Sequence, residues 1–251
     1  MKSFFHPCAL LGVLTFVSGA AAAPPAPAAK EPIRPVRFDF RSQESLKKRW
    51  AFGGKQFGVP MTQFAIVDCK ETADGKSLAV RARASAGMLI TRIPEEVWKK
   101  YPVVRWRWRV LKQVSFTGKE PDDQAAVLYF GDGSMFRQFM VAYRWEHSYP
   151  LGDESQLSYL GGTLVRRICM RNAEAIPGKW YVEERNVVQD FRRAFGREPV
   201  GRCGLTIGAN SQYSGCETLV EFDYIEFLPA AGSAAGKLGQ NMESSERDKQ
   251  K

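Results

Sequence analysis

The sequence predicts an all-β protein of the jelly-roll β-sandwich type, similar to carbohydrate-binding modules, with one or two short helices. Many short segments alternate apolar and polar residues with the period of two that strands require. Turn signals rich in glycine, proline, asparagine and aspartate separate these segments at hairpin intervals. Helical patterns are confined to short insertions, and this combination is typical of sandwiches built from antiparallel strands.

Three segments of biased composition flank the predicted domain. Residues 1–23 combine Lys2, an apolar run from Ala9 to Val17 and small residues up to Ala23, which is the pattern of a secretory signal peptide. Residues 24–35 form a proline-rich linker, and residues 229–251 form a polar tail that we expect to be disordered. The domain is therefore 36–228. No apolar run reaches the ~20 residues of a membrane span, so we expect a periplasmic or secreted protein without a transmembrane segment.

The first part of the domain is predicted to contain four strands and two single helical turns. The turn at Asp74-Gly75 joins two of these strands as a pair. The second helical turn has Pro94 at its start and two lysines at its end, as short helices prefer. The predicted strands are 36–40, 64–69, 77–84 and 86–93, and the helical turns are 42–48 and 94–100.

The segment from Tyr101 to Leu111, YPVVRWRWRVL, carries the cleanest strand pattern in the chain. Trp106 and Trp108 point to one face with Val110, and three arginines point to the other. Like charges on one face repel each other unless neighbouring strands supply carboxylates or the face is wet. The arginines are Arg105, Arg107 and Arg109.

The later part of the domain alternates strands with turns and one longer polar loop at 148–163. In the strand that ends at His147, one face carries Phe139, Val141, Tyr143 and Trp145, and the other carries Met140, Ala142, Arg144 and Glu146. The remaining predicted strands are 122–130, 165–171, 180–185, 203–207 and 219–228.

A short helix is predicted directly after the strand that begins at Trp180. Asn186 has the properties of an N-cap, Gln189 stands at the N3 position of a capping box, and Gly196 is placed to end the helix in a left-handed conformation. We interpret Asn186 and Asp190 as structural, with Asp190 pairing to an arginine that ties the helix to the sheet.

Four cysteines lie beyond the predicted signal peptide: Cys69, Cys169, Cys203 and Cys216. An even number in an exported protein predicts disulfides, and four cysteines permit three pairings. A bond between Cys203 and Cys216 would close the last hairpin and leave Cys69 with Cys169. No pair has CxxC spacing and only His147 remains in the domain, so we expect no metal site and no cofactor.

Five segments in order resemble the bacterial family DUF3047: WRWRV, DDQAAVLYF, VAYRWE, GKWYVEERNVVQDFRRAFGREP and VEFDYIEF. The most specific part is the Asn-x-x-x-Asp-Phe/Tyr-Arg-x-x-Phe-Gly run from Asn186 to Gly196. The resemblance covers nearly the whole domain. It implies an exported, single-domain relative of carbohydrate-binding β-sandwiches, and it brings no biochemical activity with it.

The function that these patterns favour is binding of a polysaccharide or another envelope component without catalysis. The formal net charge of +9 favours an acidic glycan or an anionic envelope surface, while the compartment and the lack of a motif exclude nucleic acid. If the strands are neighbours, a charged groove would grip a carboxylated or hydroxyl-rich sugar. Its candidate residues are Arg105, Arg107, Arg109, Arg144 and Glu146, with Tyr143 and His147 near its rim. The alternative is a cross-strand ladder of ion pairs on a solvated face.

Two catalytic alternatives remain open, both for a polysaccharide-cleaving enzyme. Glu221 and Glu226 match the E-x-D-x-x-E pattern of jelly-roll glycosidases, although they lie in the last strand of the domain. His147 and Tyr143 beside an arginine suit proton abstraction by a polysaccharide lyase. A third hypothesis is a structural protein, in which every arginine of the predicted groove would be paired.

Overall fold

The computed structural model describes residues 34–54, 56–115, 123–134, 137–159 and 161–231, and these residues form two sheets packed face to face. The predicted jelly-roll β-sandwich is confirmed as the fold class. The predicted signal peptide, nearly all of the linker and most of the predicted tail lie outside the described residues. Among the described residues, no helix is both long and apolar enough to cross a membrane.

The described chain contains three short helices and thirteen strands. In chain order they are β1 (Arg37–Asp39), α1 (Gln43–Arg49), β2 (Ala51–Gly53), β3 (Gln63–Asp68), β4 (Lys76–Arg83), β5 (Ala86–Ile93), α2 (Glu95–Lys100), β6 (Val103–Lys112), β7 (Gln124–Gly133), β8 (Gln138–Trp145), β9 (Glu154–Tyr159), β10 (Thr163–Arg171), β11 (Tyr181–Asn186), α3 (Val187–Phe195), β12 (Cys203–Asn210) and β13 (Glu217–Leu228).

Sheet A has the strand order β11-β6-β13-β4-β3, and β1 pairs with the second half of β13. Sheet B has the order β2-β5-β12-β7-β8-β10-β9. Among the described strand pairs, β8 and β10 run parallel and the others run antiparallel. The strand with the three arginines is thus in sheet A, and the strand that ends before His147 is in sheet B.

Aromatic side chains from both sheets meet in the core. Trp106 and Trp108 of β6 are completely buried, and each lies against an aromatic ring of β8. The ring centroids of Trp106 and Tyr143 are 5.3 Å apart, as are those of Trp108 and Trp145. Because these inward positions alternate strictly along both strands, the residues between them point out of the sandwich on opposite sides.

Two short strands lie where the sequence did not predict them. β9 occupies the middle of the predicted loop 148–163, where it pairs with β10 at the edge of sheet B. β2 follows α1 and pairs with β5 at the opposite edge. Edge strands are exposed on more sides than central ones, so their sequences show weaker apolar alternation.

The expected disulfides are not formed, because the structure separates the cysteines of both pairs. All four are free thiols. Cys203 pairs in register with Ile93 at one end of β5, whereas the carbonyl of Cys216 accepts a hydrogen bond from Ala84, beyond the other end. Cys69 contacts Arg109 on the outer face of sheet A, and Cys169 points to the outer face of sheet B.

Candidate functional site

The three arginines of β6 form a ladder of ion pairs on the outer face of sheet A. Arg105 lies 2.8 Å from Glu184 of β11 and 3.5 Å from Glu226 of β13. Arg107 lies 2.6 Å from Asp223. Arg109 lies 2.7 Å from Glu221 and 2.7 Å from Glu71.

Glu71 and Trp180 complete this ladder at the Arg109 end. The Trp180 ring lies 4.5 Å from the guanidinium carbons of both Arg107 and Arg109, and its indole N–H donates to Glu71 at 2.8 Å. Burial opposes the charge on Arg109, but hydrogen bonds to Glu71 and Glu221 hold its pKa above the usual value. The hydrogen bond from Arg109 likewise lowers the pKa of Glu71. The arginines are therefore neutralised by residues of the same chain.

Arg144 and Glu146 lie on the outer face of the other sheet, so the predicted charged groove that combined them with the β6 arginines is not formed. Both side chains are almost fully buried, with 2% and 1% exposure, and are 3.1 Å apart. Arg167 of β10 lies 3.6 Å from Glu146, and its guanidinium carbon is 3.7 Å from the centroid of the Tyr149 ring. This buried charged cluster stabilises one end of sheet B and is closed to a polymeric ligand.

Tyr143 is a core residue rather than a rim residue. Its hydroxyl donates to Asp190 of α3 at 2.8 Å, and Arg185 of β11 donates to the same carboxylate with two nitrogens, at 2.8 and 2.7 Å. Burial, reinforced by the charge of Asp190, raises the pKa of Tyr143 well above its usual value. A buried phenol that keeps its proton is unsuited to a lyase, and His147 lies beyond the end of β8.

The helix α3 has the N-cap and the left-handed C-terminal glycine that its sequence indicates, and of the predicted capping box the structure shows the bond to the Asn186 side chain. The Asn186 side chain accepts a hydrogen bond from the Gln189 backbone N–H at 3.0 Å. Gly196 is left-handed with φ of 67°, and its N–H donates to the Arg192 carbonyl at 2.8 Å. Asp190 therefore sits on a well-defined helix and joins it to one strand of each sheet.

The acidic side chains of β13 share the outer face of sheet A. The register of β13 against β6 shifts between Phe222 and Tyr224, so a bulge separates Glu221 from Glu226. Both carboxylates face guanidinium groups: Glu221 contacts Arg109, and Glu226 lies 2.9 Å from Arg37. These contacts make them members of the ion-pair ladder.

An open groove crosses the outer face of sheet B, away from the ladder. It consists of two adjoining cavities of about 210 Å³ and about 170 Å³, which share Met88 and Met140. We call it the sheet B groove. The larger cavity crosses the sheet diagonally, past Met88 of β5, Gly208 of β12, Tyr129 of β7, Met140 of β8, Val165 of β10 and Tyr159 of β9.

The strand backbone is uncovered at the bottom of the sheet B groove, because glycines occupy outward positions of its strands. A Cβ atom at Gly208 would lie 3.2 Å from the Gly87 carbonyl oxygen and 3.3 Å from Val127. At Gly204, in the smaller cavity, the nearest atom to such a Cβ would be 3.8 Å away. Outward glycines let a ligand approach the backbone closely.

Amide and aromatic side chains line this floor. Gln56 precedes β3, Gln124 begins β7 and Asn210 ends β12, and all three face the larger cavity. Tyr159 lines the same cavity from the edge strand and is 40% exposed. Apolar surface with a few convergent polar groups is typical of binding sites for organic ligands.

The sheet B groove was not predicted from the sequence, although one signal indicates it. Gly204, Thr206 and Gly208 occupy alternate positions of β12, so one face of a central strand carries only small residues. That pattern indicates a face that another group approaches closely. Within the described residues, no cluster of His, Cys, Asp or Glu side chains is arranged to hold a metal ion.

Comparisons with known proteins give one family match and several distant structural similarities. Residues 48–226 match the family model described as protein of unknown function (DUF3047). No curated protein matches significantly. A family 11 carbohydrate-binding module of a cellulosomal cellulase of Clostridium thermocellum is 11% identical, with 72% of this chain and 88% of that chain covered and a TM-score of 0.39.

Two enzymes of known structure resemble this chain at similarly low sequence identity. The xyloglucanase domain of NopAA, a type three effector from Sinorhizobium fredii solved with cellobiose, is 10% identical, with 75% of this chain and 94% of that chain covered and a TM-score of 0.41. Endoglucanase 3 from family GH12 of Trichoderma harzianum is 8% identical, with 70% and 96% covered and a TM-score of 0.35.

Proposed function

The chain belongs to the DUF3047 family, and we propose that it binds a carbohydrate chain in the sheet B groove without cleaving it. The observation that carries this proposal is the composition of the groove, which combines methionines and tyrosines with three amide side chains. Sugar rings present apolar C–H faces and hydroxyl groups, so they need both kinds of contact. The groove also crosses strands β5 to β9, five inter-strand spacings or about 24 Å at ~4.8 Å each, which suits a chain of sugars.

The carboxylates near the sheet B groove favour binding over hydrolysis. Glycosidases use two carboxyl groups on either side of the scissile bond. Among the described residues that line the two cavities, Asp132 is the one carboxylate, and two nitrogens of Arg197 hold it at 2.7 Å each. The backbone N–H of Val200 donates to it at 2.7 Å as well. An acid fixed in this way is a structural anchor.

The test is retention of the purified protein on a panel of insoluble and gel-embedded polysaccharides, read also for new reducing or unsaturated ends. Two variants probe the groove: Tyr159→Ala removes an exposed ring, and Gly204→Leu fills the smaller cavity where the backbone leaves room. We expect both to lose retention. Arg107→Ala, on the opposite sheet, is the control and should keep it. Retention that survives both groove variants would contradict the proposal.

A glycosidase active site on β13 is the second candidate, because the bulge at Asp223 leaves Glu221 and Glu226 on one face. In this case the polysaccharide would lie on sheet A, and new reducing ends would accumulate. Glu221→Gln and Glu226→Gln would abolish them, whereas Gly204→Leu would not. We favour binding because both glutamates already face arginines of the same chain.

We further propose that the protein works outside the cytoplasm, in the periplasm or after secretion. This follows from the signal peptide pattern of residues 1–23. N-terminal sequencing of the protein recovered from the source cells tests it, and a mature chain that begins near Pro24 is the expected result. A cytoplasmic chain that retains its first residues would contradict it.

A further inference from the structure

Among the described residues that line the larger cavity of the sheet B groove, none carries a charge, although the chain carries a formal charge of +9. Its described lining residues are glycines, alanines, methionines, tyrosines, one valine, one threonine and three amides. The amides are Gln56, Gln124 and Asn210. A site for an acidic sugar needs guanidinium or ammonium groups within reach of the carboxylate. The described lining residues of this cavity include no such group.

The arginines near the sheet B groove are either paired with carboxylates or lie at its end. Arg144 borders the groove, where it donates to Gln124, but its charge faces the buried Glu146. Arg197 is committed to Asp132 at the smaller cavity. Arg92 is an exposed arginine at the far end of that cavity, and it forms no ion pair with the described residues. The positive charge of the chain is therefore distributed away from the centre of the groove.

We infer that the ligand of the sheet B groove is a neutral polysaccharide chain and not the acidic glycan that the net charge suggests. This inference rests on the proposed carbohydrate-binding function. Amide groups both donate and accept hydrogen bonds, so they recognise uncharged hydroxyl groups without requiring a counter-charge. The apolar floor of Met88, Met140 and Val165 faces the C–H surfaces of the sugar rings.

Two exposed aromatic residues lie in or next to the lining of the larger cavity. Phe57 is completely exposed and directly follows Gln56, which lines the larger cavity beyond β2. Tyr159 lies on β9, the strand at the other edge. An exposed aromatic ring offers an apolar face on which a sugar ring can stack. We assign both rings as stacking residues for sugar units at the two ends of the bound segment.

The experiment compares neutral and acidic polymers with the full-length protein, by affinity electrophoresis and calorimetry. The neutral set contains hydroxyethyl cellulose, xyloglucan, galactomannan and starch, and the acidic set contains carboxymethyl cellulose, alginate and polygalacturonate. We expect binding within the neutral set. Its affinity should change less than about twofold between 50 and 500 mM NaCl, because screening acts only on charged pairs.

Variants make the assignment specific. Phe57→Ala and Tyr159→Ala should each weaken neutral-polymer binding by about tenfold, because each removes one stacked aromatic ring. Ile176→Ala, which removes another exposed apolar side chain, is the matched control.

The outcomes separate the two proposals. Binding of the acidic set alone, with an affinity that falls steeply with salt and is lost in Arg92→Gln, overturns the neutral ligand but leaves carbohydrate binding in place. Binding of neutral polymers that Phe57→Ala and Tyr159→Ala do not weaken overturns the stacking assignment. Binding of neither set overturns the proposed function itself.

Discussion

The carboxylate of Asp190 connects three secondary-structure elements. Asp190 belongs to α3. Its carboxylate accepts two hydrogen bonds from Arg185 of β11 and one from Tyr143 of β8. The sheet A strand and the sheet B strand therefore share one acceptor at the side of the sandwich. Because buried polar groups are costly when unsatisfied, each partner depends on the others.

We expect Tyr143→Phe to lower the free energy of unfolding by about 1–2 kcal/mol, since it keeps the ring and removes one hydrogen bond to a charged acceptor. Urea unfolding followed by tryptophan fluorescence measures the change. Tyr224→Phe is the matched control, because the Tyr224 ring contacts Arg37 through its face and keeps that contact. Equal effects of the two variants would contradict the role of the Asp190 hydrogen bond.

The buried thiols make the free energy of unfolding depend on pH in the alkaline range. Burial raises the pKa of Cys169 and of Cys203 to about 12, and nearby carboxylates add to the effect. From about pH 9 upward the unfolded chain releases these protons while the folded chain keeps them. The stabilisation is thus complete below that pH and declines as pH rises toward about 12, by at most ~1.4 kcal/mol per pH unit for each thiol.

Free energies of unfolding measured at several pH values between 8 and 11 test this expectation directly. Cys203→Ala should show a shallower decline with pH than the unchanged protein, because it removes one of the two contributions. Parallel curves for the two proteins would show that Cys203 does not titrate in the unfolded chain as we argue.

At the scale of elements, the ends of α3 depend on local backbone chemistry. Asn186→Ala removes the acceptor for the Gln189 N–H, and we expect a loss of about 1 kcal/mol in unfolding free energy. Asn186→Ser keeps a side-chain acceptor and should cost much less. Denaturation by urea distinguishes the two. Equal losses of unfolding free energy in the alanine and serine variants would show that the lost side-chain cap does not cause the destabilisation.

The ladder on sheet A is an element-scale feature whose removal should affect stability and not binding. Arg109→Ala leaves Glu221 without its nearest cation, and since both side chains are largely buried we expect a loss of about 1–3 kcal/mol. The double variant with Glu221→Ala should recover part of that loss, which a double-mutant cycle measures. Polysaccharide retention should stay constant throughout. A variant that folds normally and fails to bind would instead place the ligand on sheet A.

At the scale of the whole molecule, the sequence predicts strands and their faces better than it predicts sheets. Alternation along β6 and β8 correctly indicates that tryptophans point inward and arginines outward, because that information is local. Which sheet contains each strand depends on pairing between distant segments. Strand faces alone therefore predict Arg107 and Arg144 in one groove, whereas the structure has them on opposite outer faces.

The sheet B groove is harder to predict because small residues form it. Gly87, Gly204 and Gly208 leave no mark in an apolar pattern, and Gln56 lies in a loop rather than on a strand. Cysteine number likewise suggested disulfides, but the two sheets carry Cys69 and Cys169 on opposite outer faces. Counting residues of one type cannot show how far apart the fold holds them.

The cohesion of the two sheets should therefore be independent of redox conditions. The core pairs of Trp106 with Tyr143 and of Trp108 with Trp145 join the sheets without a covalent link. A disulfide contributes about 2–4 kcal/mol, and each kcal/mol shifts the Tm of a domain of this size by about 2–4 °C. We expect the same Tm with and without dithiothreitol, and five reactive thiols per full-length chain in guanidinium. A Tm that falls by several degrees on reduction, with fewer thiols counted before it, would show a covalent link and contradict this account of the core.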